Sequence, residues 1–285
     1  MNKTLILLSF LVLVAFSGGV VYSHADQPIS QSISTNRLHD FREVTRTMVK
    51  DSQGQYVGRI TDLVIEPDGR ISFAVLSRFE MDGRDARLVA VPFSALSFDD
   101  KYLVLDTTSD KLASAPLFNR SYLKARSWAE DSNRYFGLQP SWGEGKEGTA
   151  CEKAPGMNHQ ISMTKGWNRP YDATEIIGTQ VKDSQGEEVG KIDDLVFDEE
   201  GRISFAVIGY GGFLGMGQNL VAVPVNSLSN AEEPRHFVLD ATKEKIQAAP
   251  LFSKKTLDKP GWAEGIHRYF GQQPYWTEGG IGKDK

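Results

Sequence analysis

The chain has 285 residues, enough for two domains, with 40% hydrophobic and 24% charged residues, the balance of a folded globular protein. A formal net charge of −5 excludes a surface basic enough to neutralise a phosphate backbone, so nucleic acid is not an expected partner. The single cysteine, Cys151, excludes an intrachain disulfide, has no role legible from the sequence, and leaves stability to packed cores.

Lys3 and then an apolar run from Leu5 to Phe16 lead into Ser23-His24-Ala25, small residues at the right spacing for cleavage before Asp26. Charge, short apolar core and small-residue site together describe a secretory signal peptide over residues 1–25, so the protein is expected to be exported, to the periplasm. The competing reading is an uncleaved membrane anchor, since Leu5 to Tyr22 is just long enough to span a bilayer. Residues 26–39 follow as a polar lead-in.

The rest of the chain is one unit written twice. Val49-Lys50-Asp51-Ser52-Gln53-Gly54 returns as Val181-Lys182-Asp183-Ser184-Gln185-Gly186, an offset of 132 (183 − 51). The same offset pairs Gly58 with Gly190, Asp62 with Asp194, and Gly69 to Val75 with Gly201 to Val207. Past a two-residue insertion near Pro234 the offset becomes 134, pairing Pro116-Leu117-Phe118 with Pro250-Leu251-Phe252. The first unit spans residues 40–142 and the second 167–276. A polar stretch without periodicity, 143–166, reads as a flexible linker, and 277–285 as a tail.

In each unit the first part is predicted to be β. Ile60 to Ile65 and Ile71 to Leu76 are short, β-branched runs separated by Pro67-Asp68-Gly69, where proline sets the first corner and glycine accepts positive φ. Gly201 closes the matching turn. Gly58 and Gly190 lie beside strands, as where a small barrel bends. Five or six short strands with regular turn signals predict a small closed antiparallel barrel. A helical tail follows: Ser127 to Phe136 with Gly137 as its stop, and in the second unit a helix placing Trp262, Ile266, Tyr269 and Phe270 on one face. Each unit carries a full barrel pattern and is expected to fold alone, with its tail packed on its own barrel, the alternative being tails exchanged between units or chains or bound to a partner protein.

No spacing of histidines or cysteines suits a metal or haem, and no nucleophile elbow or phosphate loop is present, so neither cofactor nor catalysis is expected. Asp62 and Asp194 interrupt otherwise apolar strands. They read as turn-fixing acceptors of backbone N–H groups, the alternative being acids or cation ligands. Asp193 and Asp194 should face opposite ways on a strand and form no pair. The candidate interaction residues are Gly211, Gly212, Phe213 and Leu214 in the glycine-rich loop, where the two copies differ most, and the tail aromatics Trp128, Trp262, Tyr269 and Phe270.

The stretches Val49 to Leu96 and Val181 to Leu228, with their paired Asp-Ser-Gln-Gly turns, Gly-Arg-Ile-Ser-Phe-Ala-Val strands and Leu-Val-Ala-Val-Pro strand ends, resemble the PRC-barrel family. The resemblance implies tandem copies of the barrel found in the cytoplasmic domain of the photosynthetic reaction centre H subunit. The tails lie outside it. It implies a mainly β, non-enzymatic protein-binding or scaffolding module, which the N-terminal export segment would place in the bacterial cell envelope. One alternative is a membrane-anchored accessory subunit of an electron-transfer complex, and another is a small-ligand-binding protein using the glycine-rich loop. The partner, the process and the oligomeric state are not legible from the sequence.

Overall fold

The computed structural model describes residues 37–79, 87–99, 101–125, 127–138, 162–165, 167, 169–212, 217–231 and 235–274. The signal or anchor segment, Cys151, most of the linker, Phe213, Leu214 and the C-terminal tail lie outside these residues. Among the described residues no helix is long and apolar enough to cross a membrane.

The first repeat runs β1 (Leu38–Asp40), α1 (Phe41–Val44), β2 (Met48–Lys50), β3 (Tyr56–Ile65), β4 (Ile71–Arg78), β5 (Leu88–Pro92), β6 (Leu96–Phe98), β7 (Leu103–Leu105), α2 (Ser109–Ala113) and α3 (Ser127–Phe136). The second repeats it as β8 (Tyr171–Asp172), α4 (Ala173–Ile176), β9 (Gln180–Asp183), β10 (Glu188–Asp198), β11 (Ile203–Tyr210), β12 (Asn219–Pro224), β13 (Leu228–Ala231), β14 (His236–Leu239), α5 (Lys243–Gln247), α6 (Lys254–Leu257) and α7 (Trp262–Phe270). The strands form two seven-stranded sheets, one in the order β5-β4-β3-β2-β7-β6 and the other β12-β11-β10-β9-β14-β13. The molecule is mainly β, with two sheets of matching strand order.

The barrel differs from the expected one in direction and closure. β2 pairs with β7, and β9 with β14, in parallel, because the hairpin β6–β7 returns to the sheet on the far side of β2 running its way. No ladder among the described residues joins β5 to β6 or β12 to β13. Gly58 and Gly190 are required where β3 crowds β4 and β10 crowds β11. A Cβ on Gly58 would lie 2.2 Å from the Ser77 carbonyl oxygen, and one on Gly190 2.3 Å from that of Gly209.

The repeats do not close separately. Each lends its first strand to the other: β1 pairs antiparallel with β10, and β8 with β3. Between them Arg70 and Arg202 bridge, and the Ile71 N–H donates to the Gly201 carbonyl at 2.8 Å. Phe93 packs edge-on to Phe197, 5.9 Å between centroids, and one apolar cluster runs through both sheets. The expectation of two self-sufficient units is therefore corrected, because residues 36–285 form one compact unit with a shared core. Two assigned connectors are corrected as well. Leu38 and His39, read as lead-in, belong to β1, with His39 stacked on Phe98, 4.1 Å between centroids. Ser162–Thr164, read as linker, is a 3-10 turn whose Met163 is fully buried, since an apolar side chain at that point completes the core.

Each tail covers the outer face of its own sheet. Trp128 of α3 meets Phe73 and Phe118 at 4.9 and 5.2 Å, and Trp262 of α7 meets Phe205 and Phe252 at 5.1 and 5.9 Å. The edge strand β5 gains partners this way: the Phe118 N–H donates to the Leu88 carbonyl and the Ser132 hydroxyl to that of Ala90. A covered edge cannot template pairing with another chain.

Candidate functional site

Among the described residues, buried polar groups gather at the joints where the repeats exchange strands, and exposed apolar side chains border a cleft under the first tail.

At the first joint, Asp62 is fully buried on β3 beside a register shift between Ile60 and Asp62. Its Oδ1 accepts the Leu63 N–H at 2.9 Å, as expected of a local acceptor. Its other partners come from further off. The Thr174 hydroxyl and the Arg120 guanidinium both donate to Oδ2 at 2.5 Å, and the Thr174 N–H reaches Oδ1 at 3.2 Å. Arg120 also stands 3.2 Å from Asp172, which precedes α4 and is itself buried. Two carboxylates thus share one guanidinium. Burial raises the pKa of Asp62 against the hydrogen bond from Thr174, and burial with the charge of Asp62 pushes Asp172 up to about 7.

The second joint rebuilds this arrangement with other residues. Asp194 on β10 accepts the Leu195 N–H at 2.8 Å and the Arg42 N–H at 3.3 Å. Asp40 stands where Asp172 does. It accepts the Glu43 N–H at 2.8 Å, capping α1, and forms an ion pair with Lys254 at 3.1 Å. Burial, with the charge of Asp40, pushes Asp194 up to about 7. The expectation that Asp193 and Asp194 stay apart is corrected, for Arg42 lies 2.8 Å from Asp193 and 3.9 Å from Asp194. The register of β10 shifts between Ile192 and Asp194, which breaks the alternation that would separate them.

Sequence reasoning passed over Asp51 and Asp183, although the repeated turn motif contains them. Asp51 accepts N–H groups from Gln53, Gln55 and Ser109 at 3.0, 2.8 and 3.0 Å, tying its turn to the start of α2. Asp183 does the same with Gln185, Glu187 and Lys243. These are structural staples. Among the described residues no group of three or more potential metal ligands converges.

The cleft has a volume of about 130 Å³ and lies between the segment Pro116–Tyr122 and α3, with Phe118, Trp128, Asp131 and Ser132 among its walls. Leu117 is 54% exposed and Tyr122 49%, among the most exposed large apolar side chains of the structure. At the matching positions the second repeat has Leu251, 58% exposed, but Thr256 and Gly265 in place of Tyr122 and Asp131. Of the residues singled out in the sequence, Trp128 borders this cleft. Phe270 is buried, Trp262 and Tyr269 are half-buried on their own sheet, and the Tyr269 hydroxyl donates to the Lys245 carbonyl at 2.7 Å. Gly211 and Gly212, both at positive φ, begin the glycine-rich loop just after β11.

A model of the PRC-barrel domain family matches residues 38–112 and 170–246, from the first exchanged strand of each repeat into its α2 or α5. A search of curated proteins finds no match.

Proposed function

The chain belongs to the PRC-barrel domain family, and from that premise we propose that it is a non-catalytic, exported protein-binding module of the cell envelope. One observation carries the reading: Leu117 and Tyr122 stay exposed around a cleft floored by Phe118 and Trp128, on a fold whose other large apolar side chains are mostly buried. A cleft of about 130 Å³ fits a single aliphatic or aromatic side chain, so the partner is a protein that presents one such residue on an extended segment. The Asp131 carboxylate at the wall favours a segment whose neighbouring groups are donors.

The test compares wild type with a Leu117→Ser, Tyr122→Ser double variant as bait in envelope extracts. Both side chains are exposed, so the melting temperature should hold. A protein captured by wild type and lost with the variant supports the reading, and equal capture by both removes it. Export rests on the N-terminal pattern of Lys3, Leu5 to Phe16 and Ser23-His24-Ala25.

A further inference from the structure

The first joint combines features that a static brace does not need. It buries two carboxylates, Asp62 and Asp172, from different repeats, and supplies them with one guanidinium, Arg120, whose side chain is half-exposed at the rim. The strand it holds is short: β8 contributes only Tyr171 and Asp172, paired with Ile65 and Val64. The surrounding charges are already engaged. Glu175 of α4 is paired with Arg169 at 2.8 Å and with Arg235, from the turn before β14, at 3.8 Å. Both guanidinium groups also lie over the Tyr171 ring, at 3.9 and 4.7 Å. Among the described residues no cation other than Arg120 is within ion-pair distance of Asp62 or Asp172, and the charge of Arg169, which also reaches Asp172, is opposed by that of Glu175. The second joint differs: Arg42 adds a cation beside Lys254, and His39 on β1 titrates in the opposite sense.

We propose that the β3–β8 joint is a proton-operated clasp, in which one proton on the Asp62–Asp172 pair keeps the exchanged strand seated and its loss loosens the two repeats. With both carboxylates ionised, Arg120 neutralises one charge and leaves the other buried, which is costly. With a proton on the pair, the three groups carry no net charge. The direction of the pKa shifts agrees. Asp172 is raised to about 7 when folded, so the seated form binds a proton that the released strand gives up. Seating is therefore favoured as pH falls from about 8 toward about 4 and weakened as it rises through 7. The loosened joint would bare the edge of β3 at Val64 and Ile65.

The experiment is amide hydrogen exchange on the full chain at pH 6 and pH 8, with rates corrected for intrinsic chemistry. The reporter is the Thr174 N–H, which donates to Asp62, and the control is the Asp240 N–H, which donates to the Ser227 carbonyl and touches neither joint. Thr174 should be about tenfold better protected at pH 6, the ratio for a single proton with a folded pKa near 7, while Asp240 changes less. Asp172→Asn should keep Thr174 protected equally at both pH values. Equal protection in wild type at both pH values, or an undiminished pH dependence in the variant, overturns the clasp. Should the variant not fold, the carboxyl carbon of Asp172 in wild type decides by NMR titration: a midpoint at or above 6 supports the clasp and one below 6 overturns it.

Discussion

The Thr174 hydroxyl donates to Asp62 at 2.5 Å across 112 positions of sequence, joining the first helical turn of the second repeat to the floor of the first. Its counterpart is Arg42, whose N–H meets Asp194. Each repeat thus finishes its sheet with residues that belong by sequence to the other, and five predictions follow from this weave, the tails and the N-terminus.

Separated repeats should not be stable. A fragment of residues 37–138 lacks β8 and uncovers Ile65, Ile71 and Phe93, and a fragment of 162–274 lacks β1 and uncovers Phe197. Circular dichroism melts should show no cooperative transition for either fragment alone and a single one for the full chain. A sharp melt in either isolated fragment would show that strand exchange is dispensable.

Gly201 is held by the neighbouring repeat as well as by its own turn. It has φ +78°, and a Cβ there would lie 2.9 Å from the Ile71 carbonyl oxygen and 3.0 Å from the Phe93 ring. Gly54, at φ +81°, faces open space. Gly54→Ala should cost about 1 kcal/mol for the left-handed backbone alone. Gly201→Ala should cost a further ~1–3 kcal/mol for overpacking. Urea unfolding of both variants checks the difference.

The tails should be structural. Trp262 lies against Phe205 and Phe252, so Trp262→Ala should destabilise the full chain by about 3 kcal/mol, the low end for a large aromatic because the ring is half-buried. Trp128→Ala should behave alike. Equal stability of variant and wild type would make these faces binding surfaces instead.

His267 on α7, 2% exposed and packed on Phe205, has its pKa lowered by burial to about 4. A base whose folded pKa lies below its unfolded value contributes fully above about 6.5, and that contribution is lost as pH falls toward 4. His267→Asn, which installs the residue found at the matching position Asn133, should flatten the fall in melting temperature between pH 6.5 and 4.5. This trend is opposite in sign to that of Asp172, so the two separate cleanly in single variants.

The mature protein should begin at Asp26. Edman sequencing of the exported chain checks it, and a retained Met1 in the membrane fraction would favour the anchor.

The sequence by itself determined the duplication, the mainly β repeat, the Pro67–Gly69 hairpin and the glycines at 58 and 190. These are written in local signals: turn chemistry, side-chain alternation and residues whose backbone geometry few others tolerate. It also exposed Asp62 and Asp194 as anomalies in apolar strands without showing what they meet. Only the tertiary structure decided that β1 and β8 change places, for strands of three and two residues have no periodicity, and their partners are chosen by geometry over more than a hundred positions. The same holds for Asp193 beside Asp194, where a register shift overrides alternation, and for Arg120, an ordinary surface arginine in the sequence that the fold sets between two buried carboxylates. Local chemistry fixes what each segment becomes, but long-range packing fixes which charges are buried together.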